Sequence, residues 1–140
     1  MGDQQTLTIT AEDGVALLPL ELVTPLFEQI IIGESVSEDR CVDLIFCSEE
    51  TIKSLNTNYR QKESVTDVLS FPFDEDDYLG EIYICTHRAL EQAKKYELTP
   101  REECARLFVH GLFHLLGYDH IIEEERLIME AKEHSYYTVE

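Results

Sequence analysis

Positive charge is what this chain has least of. Eleven Lys and Arg stand against 29 Asp and Glu, a formal net charge of −18. So acidic a chain repels nucleic acid on average, and any role on nucleic acid must fall to a local cluster of its few basic side chains. Also missing is an apolar run long enough to cross a bilayer, so no membrane partner is expected. The first residues show no basic segment leading into an apolar one, which speaks against a secretory leader. Cys41, Cys47, Cys85 and Cys104 form no C-x-x-C pair and lie mostly among apolar residues. They read as buried free thiols in a reducing cytoplasm, not as a disulfide framework or a thiolate metal site. No internal repeat, low-complexity tract or linker interrupts the 140 residues, and 44% of them are hydrophobic. A single domain over residues 1–140, with a core that needs no disulfide, is expected.

Histidine is present where it counts. The stretch His110-Gly111-Leu112-Phe113-His114-Leu115-Leu116-Gly117-Tyr118-Asp119-His120 holds three of the five histidines. Positions i and i+4 differ by only about 40° around a helix, so His110 and His114 point the same way. Gly117 can adopt the left-handed conformation that ends helices and turn His120 back toward them. Three imidazoles leave the fourth position of a tetrahedral zinc open, the pattern of catalytic rather than structural sites. Two histidines on an apolar helix face are more often packing than ligands. The third histidine and the glycine at the bend tip the balance to a metal site. Imidazole suits zinc, copper, nickel and iron alike, so the ligands alone leave the metal open.

The same stretch follows the long zincin motif, H-E-x-x-H-x-x-G-x-x-H, except that Gly111 replaces the glutamate that acts as general base. Without it a peptide bond lacks its usual proton carrier. A phosphodiester has a better leaving group, and RNA supplies an internal 2′-hydroxyl. Its charge would call for a planar, bidentate arginine, and Arg60, between Tyr59 and Lys62, is the candidate. On sequence alone, a surface arginine paired with one of the many carboxylates is the simpler account of Arg60. Asp119 fits orienting a ligand imidazole, activating water or capping the next helix. His87 and His134 read as surface residues, and Asp67, Ser70 and Tyr118 carry no chemistry that spacing reveals.

Residues 6–11 alternate polar and apolar, as a half-buried strand does. Further strands are expected over 41–47, 65–71 (ended by Pro72) and 79–85. Residues 18–32 read as a helix that Pro25 either starts, with Thr24 as cap, or kinks. Ser48 caps a helix to about Asn58 with Ile52 and Leu55 inward, and Thr86 begins one to about Tyr96. Thr99-Pro100-Arg101-Glu102 is a capping box with proline at the first helical position, opening the histidine-bearing helix. A last helix is expected over about 122–133. The acidic run 74–77 is solvated surface. Together these elements predict an α+β domain, about five helices packed on a small mixed four-stranded sheet.

Three blocks resemble the YbeY family of rRNA-maturation endoribonucleases. Residues 110–120 match its H-G-x-x-H-L-x-G-Y-D-H pattern throughout. Arg60 followed by Thr66-Asp67-Val68-Leu69-Ser70-Phe71-Pro72 is similar to its R-x-x-x-x-x-T-D-V-L-S-F-P segment. Leu79-Gly80-Glu81-Ile82-Tyr83-Ile84 is similar to its L-G-D-I-x-I strand, with Glu81 for the usual aspartate. Val65 stands where many members have proline. The resemblance spans roughly residues 40–135 and implies a fold distantly like the zincin proteases. It also implies one Zn²⁺ per chain on His110, His114 and His120, with His114 and Arg60 catalytic. The implied substrate is single-stranded RNA, in small-subunit rRNA maturation and ribosome quality control, alongside ribosomal or assembly proteins. The alternative is a non-catalytic assembly factor stabilised by its metal. A peptidase with a base from elsewhere, such as Asp119, is disfavoured by Gly111. Either a channel of Arg60, Lys62 and Arg88 or a partner's basic surface would have to offset the acidity.

Overall fold

In the computed structural model, residues 7–34, 40–60, 66–75, 78–117 and 131 are described. Four strands and four helices lie among them, in the order β1 (Leu7–Ala11), α1 (Val23–Gly33), β2 (Cys41–Cys47), α2 (Glu49–Arg60), β3 (Val68–Glu75), β4 (Tyr78–Cys85), α3 (Thr86–Lys95) and α4 (Pro100–Leu115). The strands form one sheet in the order β1-β2-β4-β3. β1 and β4 run parallel to β2, and β3 runs antiparallel to β4. The expected mixed four-stranded α+β architecture is what forms. The expected last helix lies outside the described residues, apart from Ala131.

Burial follows the strand period. Val42, Leu44 and Phe46 of β2 and Ile82 and Ile84 of β4 are fully buried in a cluster with α1 and α4. The opposite face is covered near Cys47, Leu69 and Cys85 by Ile52 of α2. Each large apolar side chain so buried contributes about 1.5–3 kcal/mol. All four cysteines are free thiols and three are buried. Burial pushes the Cys47 thiol up to about 12, helped by Cys85 and Glu12. It pushes Cys104 up to about 12 as well, helped by Glu103.

Two expectations need correction, both involving proline. β3 does not end at Pro72; it begins at Val68 and continues to Glu75. Among the described residues it is the outer strand and pairs only with β4, a position where a proline without an N–H is tolerated. Pro72 sits opposite Gly80, and the register shifts between Pro72 and Glu75. Of the two readings of Pro25, the helix start with Thr24 as cap is not what forms: α1 begins at Val23 with Leu22 at its cap, and Pro25 lies inside the first turn. Pro25 is the third helical residue, a position whose N–H would have no partner within the helix, so a proline without one loses no helix bond there. The first i→i−4 bond runs from Leu26 N–H to Leu22 O at 3.2 Å.

The local signals for α2 and α4 hold. Ser48 Oγ accepts the Thr51 N–H at 3.1 Å. Thr99 Oγ1 accepts the Glu102 N–H at 3.2 Å, and Glu102 returns the bond to the Thr99 N–H at 2.8 Å. A contribution absent from local patterns comes from Glu12, just past β1. Its carboxylate accepts the Ser48 N–H at 2.8 Å and the Thr51 hydroxyl at 2.6 Å, a second cap for α2. The Thr51 bond, then the Ser48 bond, holds the Glu12 carboxyl below its ordinary value.

Candidate metal and active site

α4 carries the histidines, and its burial explains how they are presented. Residues 103–105, 107–109, 111–113 and 115 are buried against the sheet and its neighbouring helices. Glu102, Arg106, His110 and His114 recur every fourth position as the less buried stripe. Within that stripe the His110 and His114 rings sit 4.8 Å apart between centroids, edge to face at 81°. One turn back, Arg106 grips the fully buried Glu103 with two bonds of 2.8 and 2.7 Å, so the stripe continues on a fixed scaffold.

Between the histidines, Gly111 is pressed onto the sheet. A Cβ there would lie 2.8 Å from Ile82 Cγ2, 3.0 Å from Ser70 Oγ and 3.4 Å from Val68 Cγ2. Any side chain there would force Ile82 or the helix to shift, so packing opposes the zincin glutamate that the sequence lacks. Ser70, to which spacing assigned no role, donates its hydroxyl to the Gly111 carbonyl at 2.9 Å. α4 ends at Leu115, and Gly117 follows with φ +104°, the left-handed geometry that ends a helix.

Two imidazoles one turn apart, half-buried and edge to face, fit joint ligation of one ion, for which zinc–nitrogen bonds of about 2.0–2.1 Å are usual. His120 and Asp119 lie outside the described residues. Arg60 is the last residue of α2, and its side chain is not among those described. Lys62 and His134 also lie outside them. Arg88 pairs with Glu91 at 3.4 Å.

A possible metal-binding triad of Glu49, His87 and Glu91 forms elsewhere, with ligand atoms within 4.8 Å of one another. His87 is exposed, as expected, but not isolated. Its Nδ1 lies 3.2 Å from Glu49 and its Nε2 3.7 Å from Glu91. Each ring nitrogen thus faces a different carboxylate. His87 and Glu91 are an i, i+4 pair on α3. Glu49 joins them because Cys47 and Cys85 are register partners on parallel β2 and β4, so α2 and α3 start side by side.

A family model described as Endoribonuclease YbeY matches residues 12–139. The chain belongs to the endoribonuclease YbeY family. An endoribonuclease YbeY of Finegoldia magna is 54% identical over 113 residues, covering 76% of this chain and 74% of the relative. That of Lysinibacillus sphaericus is 37% identical over 142 residues, covering 91% and 90%. Among solved structures, a solution structure of a Thermotoga maritima protein is 33% identical. It covers 93% of this chain and 85% of its own, with a TM-score of 0.63. The YbeY match includes Arg60 and the whole 110–120 stretch, so the family expected from three short blocks is the family found along nearly the entire chain.

Proposed function

We propose that this YbeY-family protein is a zinc-dependent endoribonuclease that cuts single-stranded RNA. His110, His114 and His120 hold one zinc ion per chain, and Arg60 grips the scissile phosphate. The observation that carries this is the His110–His114 pair on an otherwise buried helix, with packing at Gly111 that opposes a peptidase base. Bound at these imidazoles, zinc lowers the pKa of a water molecule and polarises a phosphoryl oxygen. The rest falls to the chain. α4 holds two imidazoles rigidly from one buried scaffold, and His114 sits at its C-terminal turn, nearest the bend that leads to His120. A guanidinium at position 60 supplies the planar donor fork that a phosphodiester accepts.

The substrate in the cell is small-subunit rRNA, with roles in its maturation and in ribosome quality control. Ribosomal or assembly proteins supply the basic surface that a chain of net charge −18 lacks. Its setting is the cytoplasm, and no described helix is long and apolar enough to cross a membrane. The test is cleavage of matched single- and double-stranded RNAs by purified protein. Wild type cuts the single strand selectively, and Arg60→Glu keeps the fold and loses cutting. Equal cutting by Arg60→Glu refutes the role of Arg60. A variant that cuts nothing but associates with ribosomal particles less well, beside a wild type equally inactive on RNA, favours the non-catalytic assembly factor.

A further inference from the structure

Among the described residues β3 is the outer strand, paired only with β4. Its residues alternate, so Leu69 packs beneath α2 while Val68 and Ser70 face α4. α4 meets this seam at Gly111, where its backbone lies so close to Ile82, Ser70 and Val68 that a Cβ would force a neighbour to shift. A contact without a side chain on the helix lacks the interlocking of ridges and grooves that resists sliding. Ser70 supplies a directional tie: its half-buried hydroxyl donates to the Gly111 carbonyl at 2.9 Å. A helix carbonyl has two lone pairs, so this bond is compatible with the helix ladder.

The two histidines flank that tie in sequence. At about 100° per residue, His110 and His114 lie about 100° and 60° from Gly111, both to the same side. Any rotation or slip of α4 at the seam therefore swings both imidazoles together relative to the sheet, and relative to whatever the chain beyond Gly117 brings up. We infer that Ser70 is a positioning residue: its hydroxyl holds the His110–His114 turn in register on β3 and so sets how tightly the site holds a metal ion. This rests on the proposal that these histidines are ligands, and it gives Ser70 a role distinct from touching metal or RNA.

The experiment is titration of the full-length, metal-stripped protein with Co²⁺, read by its visible absorption and by the dissociation constant. Wild type, Ser70→Ala, Ser70→Thr and Ile52→Val are compared, with urea stability recorded for each. Ile52 of α2 is buried with Cys47, Leu69 and Cys85 on the other face of the sheet, so Ile52→Val controls for general loosening. Ser70→Ala is expected to weaken Co²⁺ binding about three- to tenfold, less than the tenfold to hundredfold loss typical of groups bonded directly to metal ligands. Its absorption envelope shifts as well. Ser70→Thr keeps the hydroxyl and stays within about twofold of wild type, a fraction of that loss. Ile52→Val loses urea stability but binds as wild type does. Wild-type affinity in Ser70→Ala overturns the inference, and so does an equal loss in Ile52→Val. A wild type that binds no Co²⁺ removes the histidine site itself, and the inference with it.

Discussion

Replacing Gly111 by alanine sets helix propensity against packing, and the two predict opposite signs. In a helix interior, alanine is favoured over glycine by about 0.8–1 kcal/mol. At an open position Gly111→Ala would therefore stabilise the protein by that amount. Here the new methyl would lie 2.8 Å from Ile82 Cγ2 and 3.0 Å from Ser70 Oγ. Ile82 is β-branched, fully buried, and paired with Leu44 on one side and Ser70 on the other, so its stiff χ1 gives way at a cost. Overpacking of this kind costs about 1–3 kcal/mol. Pushing α4 off β3 also breaks the Ser70–Gly111 bond, for about 1 kcal/mol more. Set against the propensity gain, the net expected change is a loss of about 1–3 kcal/mol. Equilibrium urea unfolding of both proteins measures it, provided the slopes agree. Stabilisation by about 1 kcal/mol would show that α4 is not pressed on the sheet at this point, and the packing account of the missing glutamate would fall with it. Gly111→Glu, which completes the protease motif, is expected not to fold.

The Glu12 carboxyl is held below its ordinary value of 4.5 by the Thr51 and Ser48 bonds. Its contribution is therefore present above about pH 4.5 and is lost as the pH falls through the lower folded value. Glu12→Gln should flatten the acid limb of the stability curve below that pH and lower stability at pH 7 by about 1 kcal/mol; a curve parallel to wild type would contradict this. Cys47 and Cys104, with thiols pushed up to about 12 by burial, should resist a thiol reagent at pH 8 until urea unfolds the chain. Mass spectrometry of the native protein showing rapid modification at either residue would refute their placement.

What could be read in advance was what the chain decides locally. The α4 capping box, the Ser48 cap and the glycine at the helix end each depend on residues within a few positions, and each formed as expected. Pro72 was misjudged because tolerance of proline depends on being at the sheet edge, and the edge is set by strand order. The second cap from Glu12 and the approach of Glu49 to His87 were likewise hidden. Both depend on which strands lie side by side, across 36 residues in the Glu12–Ser48 bond. At the candidate site, sequence marked the histidines and the missing glutamate. The fold added the reason for the absence, a seam where even a methyl group collides, and disclosed Ser70, whose partner is 41 residues away.

The central claim is that the histidines of residues 110–120 hold the metal on which RNA cutting depends. It is tested most directly by metal content and single-stranded RNA cleavage measured on the same preparations of wild type and His114→Ala. Wild type should carry about one zinc per chain, the load of a three-histidine site, and cut RNA. His114→Ala should lose both while keeping its folded far-ultraviolet signal. A folded His114→Ala protein that retains zinc and cuts as wild type does would contradict the account.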